Sequence, residues 1–158
     1  MPNATHSPAI LFVCYGNIMR SAFAEACFRQ EVSRRSALQR IRFASAGVRA
    51  YPDDRAEPHA RAMAARLGYT LESHRAQRTS RPLLSQFDRV YIMDQLNEDL
   101  ILSDSPEVRE KVAYLSSLVP GTPKEIEDPY CQTDKQLEAC FRRIELAVRN
   151  LAEELDSL

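Results

Sequence analysis

The chain has 158 residues, of which 44% are hydrophobic, and a formal net charge of −1. This length favours a single domain with a substantial buried core. The balanced charge gives no bulk attraction to nucleic acid or to an anionic membrane surface, and no apolar run approaches the roughly 20 residues of a membrane-spanning helix. We therefore expect no nucleic acid partner and no membrane insertion.

The N-terminus and the cysteines bear on where the protein works. Residues 1–8 are polar and contain two prolines, and the apolar run that follows them is only five residues long. This pattern predicts a loose tail rather than a signal peptide, followed by one domain over residues 9–158. The four cysteines (Cys14, Cys27, Cys131 and Cys140) form no CxxC pair, which is typical of a cytoplasmic protein with reduced thiols.

Strand and helix patterns alternate along the chain. Apolar runs rich in β-forming residues predict strands over residues 9–13, 41–46, 87–93 and 112–115. Helical patterns cover residues 22–35, 57–68 and 97–102, and a last helix follows a capping box formed by Thr133 and Gln136. The last helix carries one apolar stripe, formed by Leu137, Phe141, Ile144, Val148, Leu151 and Leu155. The alternation predicts an α/β fold, a single-domain three-layer sandwich whose four-stranded parallel sheet carries helices on both faces.

The stretch after the first strand carries the clearest chemical signal. It reads Cys14-Tyr15-Gly16-Asn17-Ile18-Met19-Arg20-Ser21. A strand, a tight loop and a helix N-terminus in this order form an anion-binding cradle, because backbone N–H groups and the positive end of the helix dipole converge there. In parallel sheets, ligands bind beyond the carboxyl ends of the strands. The sequence therefore predicts a phosphate-binding loop after strand one.

The residue types in this loop predict its chemistry. A thiol at a helix N-terminus beside a cation typically has a pKa lowered to about 3.5–7.5, so Cys14 is expected to act as a thiolate nucleophile. Arg20 offers a planar fork that grips two phosphate oxygens. We expect Gly16 to take a positive φ, Asn17 to brace the loop, and Ser21 to donate its hydroxyl to the sulfur. The alternative, a buried strand-end cysteine beside a surface arginine, leaves the joint presence of these residues without an explanation.

A second element, Glu127-Asp128-Pro129-Tyr130, offers a carboxyl group. An enzyme that attacks a phosphate monoester must also protonate the oxygen that leaves. Asp128 can supply that proton, with Pro129 fixing the backbone of its loop. By itself, however, an Asp-Pro pair is more typical of a solvated turn, and only the Cys14 loop favours the catalytic interpretation.

These stretches resemble the low-molecular-weight protein tyrosine phosphatase family. The family loop has the pattern Cys-x-Gly-Asn-x-Cys-Arg-Ser after the first strand, and the family carries Asp-Pro-Tyr near its C-terminus. Further matching segments are Ser45-Ala46-Gly47, His74-Arg75-Ala76, and Met93-Asp94 with Asn97. The resemblance runs from the first strand to the last helix and implies the same fold.

The resemblance also implies a role for each matched residue. Cys14 is the nucleophile, Arg20 the phosphate clamp, and Asp128 the general acid that later acts as a base. Ser45 and His74 join residues of the loop in a hydrogen-bond network that holds it open. The residues expected to contact the substrate are Tyr15, Gly16, Asn17, Ile18, Met19, Ser21, Tyr51 and Tyr130, with Tyr51 at the mouth of the site and Tyr130 as an aromatic wall.

Several positions depart from the family pattern. Met19 stands where the family usually has a second cysteine, whose thiol can form a disulfide with the nucleophile and shield it from over-oxidation. Tyr15 is larger than the usual aliphatic residue, and Ala22 replaces a common proline. Tyr51 stands where many members have tryptophan, and Cys131 where some have a second tyrosine. We expect these changes to affect substrate preference and redox behaviour more than the chemistry.

The implied activity is hydrolysis of phosphotyrosine through a cysteinyl-phosphate intermediate, without a cofactor. The histidines show no metal-ligand spacing, so we predict no metal. The implied partner is a phosphotyrosine-containing protein, and many bacterial members of the family act on autophosphorylated tyrosine kinases. The sequence carries no signal for the oligomeric state.

Three alternative functions remain open. A related branch removes phosphate from arginine and has a small threonine where this chain has Ile18. Arsenate reductases of related type need two further cysteines to relay a disulfide, and this chain has none between Cys27 and Cys131. The third alternative is a non-catalytic phosphate-binding module, against which the intact set of nucleophile, clamp and acid argues.

Overall fold

Four parallel strands form one sheet at the centre of the computed structural model, which describes residues 7–158. In chain order the strands are β1 (Ile10–Cys14), β2 (Phe43–Gly47), β3 (Arg89–Ile92) and β4 (Val112–Tyr114), and their ends differ from the predicted ones by at most two residues. Their spatial order is β2-β1-β3-β4, and every neighbouring pair is parallel. The prediction of a four-stranded parallel sheet is confirmed. The predicted loose tail over residues 1–8 lies, up to residue 6, outside the described residues.

Helices and short turns connect the strands. The α-helices are α1 (Arg20–Arg34), α2 (Pro58–Arg66), α3 (Arg81–Leu84), α4 (Gln95–Asp104) and α5 (Asp134–Asp156), with 3₁₀ turns at Ser36–Leu38, Pro106–Lys111 and Leu115–Leu118. The sequence does not predict α3, a single turn capped by Ser80. The predicted capping box of α5 is present, because Thr133 N donates to Gln136 Oε1 at 2.9 Å and Gln136 N donates to Thr133 Oγ1 at 3.2 Å. Among the helices of residues 7–158, none is long and apolar enough to cross a bilayer.

Helices cover both faces of the sheet, as predicted. Alternate side chains of a strand point to opposite faces, so Phe12 of β1 packs into the core beneath α1 and α5, while Leu11 packs into the core on the other side with α3 and α4. In the first core, the ring of Phe23 on α1 stacks on that of Phe141 on α5, with centroids 4.0 Å apart. Burial of each such side chain contributes about 1.5–3 kcal/mol, which holds α1 and α5 together against the sheet.

The order of the strands positions the site. β1 has β2 on one side and β3 on the other. The connection from β1 therefore runs to one side of it, and the connection from β2 to β3 crosses back to the other side. The carboxyl ends of β1 and β3 therefore flank a crevice, the place where ligands bind in open α/β sheets. Cys14 ends β1, and Asp94 follows β3 directly after Met93.

Candidate active site

The loop between β1 and α1 holds Cys14 and Arg20 at its two ends. Cys14 is the last residue of β1, and Arg20 is the first residue of α1. No side chain caps the N-terminus of α1, whose N-cap residue is Met19. A helix cannot satisfy the N–H groups of its own first turn, so these groups and the positive end of the dipole are directed at the loop.

Two groups lie within hydrogen-bonding distance of the sulfur of Cys14, which is buried. The backbone N–H of Asn17 points at Sγ from 3.3 Å, and Ser21 Oγ lies 3.0 Å from Sγ. A thiolate has no hydrogen to donate, so in that state the Ser21 hydroxyl is the donor.

Asn17 is the residue that bends the loop. Its φ is +55°, whereas Gly16 lies outside the left-handed region, so the prediction that Gly16 supplies the positive φ is wrong. Asparagine tolerates this conformation better than most other residues because its short side chain bonds locally. The buried side chain donates from Nδ2 to Ser21 Oγ at 2.8 Å and to Ser45 Oγ at 2.9 Å, and Oδ1 accepts from Gln77 N at 2.9 Å. These bonds hold the left-handed turn in place.

A second layer of side chains supports the loop from behind. His74 Nε2 lies 2.6 Å from the carbonyl oxygen of Asn17, and because a carbonyl only accepts, Nε2 carries the hydrogen. Ser45 Oγ donates to Glu25 Oε1 at 2.5 Å, and Gln77 Nε2 donates to the Ser45 carbonyl at 2.9 Å. Sequence reasoning placed Ser45 and His74 here but missed Glu25 and Gln77, because polar residues of these types carry no signal outside a motif.

Gly47, the last residue of β2, lets the loop pass close to the sheet. A Cβ on Gly47 would lie 2.7 Å from both the nitrogen of Asn17 and the carbonyl oxygen of Tyr15. Both are backbone atoms, which cannot swing aside as a flexible side chain would. The requirement for glycine appears only when β2 and the loop are brought together.

Arg20 is the buried cation of the site. Its Nη1 donates to Asp94 Oδ2 at 2.7 Å and to the carbonyl of Ile126 at 2.8 Å, and Nη2 lies 3.7 Å from Asp128 Oδ2. Burial opposes the charged form, but the electrostatic attraction of Cys14, Asp94 and Asp128 and the hydrogen bond to Asp94 outweigh it, so the pKa of Arg20 lies above its ordinary value. Sequence reasoning noted Asp94 only as part of a matching segment, although a carboxylate directly after the strand beside β1 is the available signal.

A cleft of about 400 Å³ opens beside the loop. It is lined by Cys14, Tyr15, Gly16, Ile18, Met19, Arg20, Arg49, Tyr51, Asp54, Asp128 and Tyr130. Its volume suits a small ligand. The residues Tyr15, Tyr51 and Tyr130 are 42%, 76% and 59% exposed, so aromatic surface is available for a ring of the ligand. Asn17, Ser21, Ser45 and His74 do not line this cleft. Asn17 and Ser21 are fully buried behind it.

Asp128 brings a carboxyl group to the same cleft. Its side chain is 46% exposed, and Oδ1 accepts a hydrogen bond from the backbone N–H of Tyr130 at 3.1 Å. A thiol, a guanidinium and an accessible carboxyl group thus line one cavity. Together they can attack a phosphorus atom, hold its oxygens and exchange a proton with the leaving group.

The remaining thiols differ from Cys14 in their surroundings. Burial raises the pKa of Cys140 to about 12 and that of Cys27 well above its ordinary value. Both lie in the core beneath α1 and α5, whereas Cys131 is exposed. Within residues 7–158, no cluster of three or more His, Cys, Asp or Glu side chains is arranged to hold a metal ion.

Comparison with known proteins identifies the family. Residues 9–157 match the family model described as low molecular weight phosphotyrosine protein phosphatase. The chain belongs to this family. The phosphatase is 29% identical over 148 residues to the low molecular weight protein-tyrosine-phosphatase Wzb of Salmonella typhi, a match that covers 94% of each chain. It is also 32% identical over 142 residues to a protein-arginine-phosphatase of Bacillus subtilis, covering 85% of this chain and 93% of that one.

A solved structure gives the same result for the fold. The phosphatase superposes on the crystal structure of the tyrosine phosphatase Wzb from Escherichia coli K30, in complex with sulphate, with a TM-score of 0.85. The two sequences are 30% identical, and the match covers 95% of this chain and 99% of that chain. The family and the fold that the loop motif predicts are therefore confirmed.

Proposed function

We propose that this phosphatase hydrolyses phosphotyrosine monoesters through a covalent intermediate on Cys14. The observation that carries the proposal is the single cleft in which Cys14, Arg20 and Asp128 stand beside exposed tyrosine rings. An aryl phosphate needs all of these at once: a nucleophile, a cation for the phosphate oxygens, an acid for the leaving oxygen, and apolar surface for its ring.

The first displacement transfers the phosphoryl group to the enzyme. The thiolate of Cys14 attacks phosphorus, so that an S–P bond forms while the bond from phosphorus to the aryl oxygen breaks. Asp128 gives its proton to the departing phenoxide. Arg20 and the N–H groups at the start of α1 hold the remaining phosphate oxygens, whose charge spreads in the transition state.

The second displacement releases phosphate. Asp128, now ionised, takes a proton from water as the water oxygen attacks phosphorus and the S–P bond breaks. The hydroxyl of Ser21, 3.0 Å from Sγ, donates a hydrogen bond to the sulfur as it leaves as a thiolate. Arg20 and the backbone N–H groups of the loop stabilise the negative charge on the phosphate oxygens, so this route requires no cofactor.

Ile18 supports phosphotyrosine rather than phosphoarginine as the substrate. Its half-buried side chain lines the cleft, whereas the arginine-specific branch has a small threonine at this place. The arginine phosphatase of Bacillus subtilis is a relative of this chain, so removal of phosphate from arginine is the alternative activity at the same site. The larger aliphatic side chain favours the flat, apolar ring of phosphotyrosine.

We infer that the partner is a phosphotyrosine-containing protein in the cytoplasm. The resemblance to bacterial members of the family favours an autophosphorylated tyrosine kinase. The exposed tyrosines that line the cleft, Tyr15, Tyr51 and Tyr130, suit a phosphorylated side chain presented on the surface of another protein.

The nucleophile is tested by phosphate release from p-nitrophenyl phosphate across pH, with the wild type and Cys14→Ser in parallel. We expect turnover in mildly acidic buffer that vanishes in the variant, while binding of inorganic phosphate persists. Two limbs in the pH profile report the nucleophile and the acid. Turnover that persists in Cys14→Ser would remove Cys14 from the mechanism, and phosphate binding without any wild-type turnover would favour the non-catalytic module.

The substrate class is tested with matched peptides that carry phosphotyrosine or phosphoarginine. We expect the wild type to prefer the phosphotyrosine peptide, and Ile18→Thr to shift the ratio of the two kcat/KM values toward phosphoarginine. A wild type that prefers phosphoarginine would establish the alternative activity instead.

A further inference from the structure

The segment that leads to Asp128 has neither helix nor strand, yet side chains from the rest of the protein hold its backbone. From residue 123 to residue 127, the carbonyl oxygens accept hydrogen bonds in turn from Arg143, Ser116, Arg143, Arg20 and Cys140. Backbone groups outside regular structure need partners of this kind when they are packed against a core. We call residues 123–127 the stem of the acid loop.

Arg143 of α5 holds two of these carbonyls with one guanidinium group. Nη2 donates to the carbonyl of Pro123 at 2.6 Å, and Nη1 donates to that of Glu125 at 2.8 Å. A planar fork on two acceptors fixes both their spacing and their direction, which a single ammonium group cannot do. Arg143 is not among the residues that line the catalytic cleft, so its hydrogen bonds reach the site through the stem.

The other end of the stem is fixed to the sheet. The backbone N–H of Ile126 donates to the carbonyl of Met93 at 2.9 Å, and Glu125 Oε2 accepts from the N–H of Gln95 at the start of α4 at 2.7 Å. Beyond the stem, the backbone hydrogen bonds are local, from Tyr130 N to Asp128 Oδ1 and from Gln132 N to the carbonyl of Pro129. The position of Asp128 is therefore set largely by the stem from which it projects.

We propose that Arg143 is a positioning residue for the acid step, which places the Asp128 carboxyl group by holding the stem of its loop. The inference rests on the proposed role of Asp128 as general acid. Proton transfer needs the acid within about 2.6–3.2 Å of the leaving oxygen, and a misplacement of about 1 Å costs about 10²-fold in rate. Arg143 is half-buried, so water can reach the two carbonyls when the fork is removed, and the fold persists with a looser stem.

The test measures kcat/KM for a series of aryl phosphates with increasingly poor leaving groups. We expect Arg143→Ala to lose about tenfold with phenyl phosphate and less than about twofold with p-nitrophenyl phosphate, because a poor leaving group depends far more on the acid than a good one does. The matched control is Arg142→Ala, since Arg142 is exposed and pairs with Glu145 at 3.1 Å. We expect Arg142→Ala to match the wild type, Arg143→Lys to lie between, and inhibition by inorganic phosphate to be unchanged in all three.

A double variant separates positioning from a merely structural role. Because Arg143 acts through Asp128, Arg143→Ala combined with Asp128→Asn should be no slower than Asp128→Asn alone. The inference would be overturned if the losses in kcat/KM of the two single variants added in the double variant. It would also be overturned if Arg143→Ala lost kcat/KM equally with all leaving groups and was inhibited more weakly by phosphate. If the loss in kcat/KM grew with poorer leaving groups for Asp128→Asn but not for Arg143→Ala, the role of Arg143 would be refuted while Asp128 remained the acid. If the loss for Asp128→Asn did not depend on the leaving group, the assignment of Asp128 as the acid would itself be refuted.

Discussion

Replacing Asn17 by alanine tests whether the hydrogen bonds behind the loop maintain its shape. In the structure, the amide of Asn17 bonds to Ser21 Oγ, Ser45 Oγ and Gln77 N at 2.8, 2.9 and 2.9 Å. The residue also has a φ of +55°, a conformation that alanine resists because its Cβ approaches the following carbonyl oxygen. The substitution therefore removes the bonds and keeps the strain.

The magnitude follows from these contacts. Three hydrogen bonds, of which two are buried and the one from Gln77 N is partly buried, give a loss of about 3 kcal/mol at about 1 kcal/mol each, and the left-handed backbone adds about 1 kcal/mol. A total of about 4 kcal/mol lowers the population of the working loop by roughly 10³-fold. We expect kcat/KM for p-nitrophenyl phosphate to fall by about 10²–10³-fold, since some of the freed groups will find water.

Asn17→Gly is the matched control, because it removes the same side chain but relieves the strain at positive φ. We expect it to keep about fivefold more activity than Asn17→Ala, which corresponds to about 1 kcal/mol. Steady-state kinetics measure the activity, and urea unfolding followed by circular dichroism measures stability in a chain that has no tryptophan. If kcat/KM of Asn17→Ala lay within about twofold of the wild-type value, the role of the network would be refuted. Equal activities of Asn17→Ala and Asn17→Gly would refute the contribution of strain.

Three further perturbations have expected outcomes. Gly47→Ala places a Cβ 2.7 Å from two backbone atoms of the loop, so we expect about 10²-fold lower kcat/KM and about 1–3 kcal/mol lower stability. After peroxide treatment, the wild type should regain little activity with a thiol reductant, whereas Met19→Cys should regain most of it, because the introduced thiol can protect Cys14 as a disulfide. The pKa of Cys140, raised by burial from 9.0 to about 12, makes its contribution to stability decline with rising pH: above about pH 9 the unfolded thiol loses its proton while the folded one keeps it. The ionisation of Cys140 in the unfolded chain lowers the free energy of unfolding by about 1 kcal/mol at about pH 10, and Cys140→Val should lack this decline.

Each of these outcomes can fail in a distinct way. Gly47→Ala with wild-type kinetics would show that the loop can yield to a Cβ. Equal recovery of activity by the wild type and Met19→Cys after peroxide would show that a cysteine at position 19 does not protect Cys14 from irreversible oxidation. Parallel stability curves for the wild type and Cys140→Val between about pH 8 and about pH 10 would show that Cys140 does not titrate on unfolding.

Local signals in the sequence were read correctly where neighbours along the chain determine the structure. The capping box of α5 and the passage from β1 through the loop into α1 each lie within a few residues, so residue types alone indicate them. The assignment of the positive φ to Gly16 instead of Asn17 failed because glycine permits this conformation without requiring it. The hydrogen bonds of the Asn17 side chain with Ser45 and Gln77, which lie far along the chain, place the bend at Asn17.

The sequence by itself determined the reacting groups and the class of fold, because thiol, guanidinium and strand–loop–helix pattern lie within one short stretch. Only the tertiary structure decided how those groups are held. The order β2-β1-β3 brings Gly47 against the loop on one side and Asp94 to Arg20 on the other, and α5 brings Arg143 to the acid loop. These contacts join residues far apart in the chain, and no local pattern encodes them, since they arise from packing the helices on a sheet whose strand order differs from the chain order.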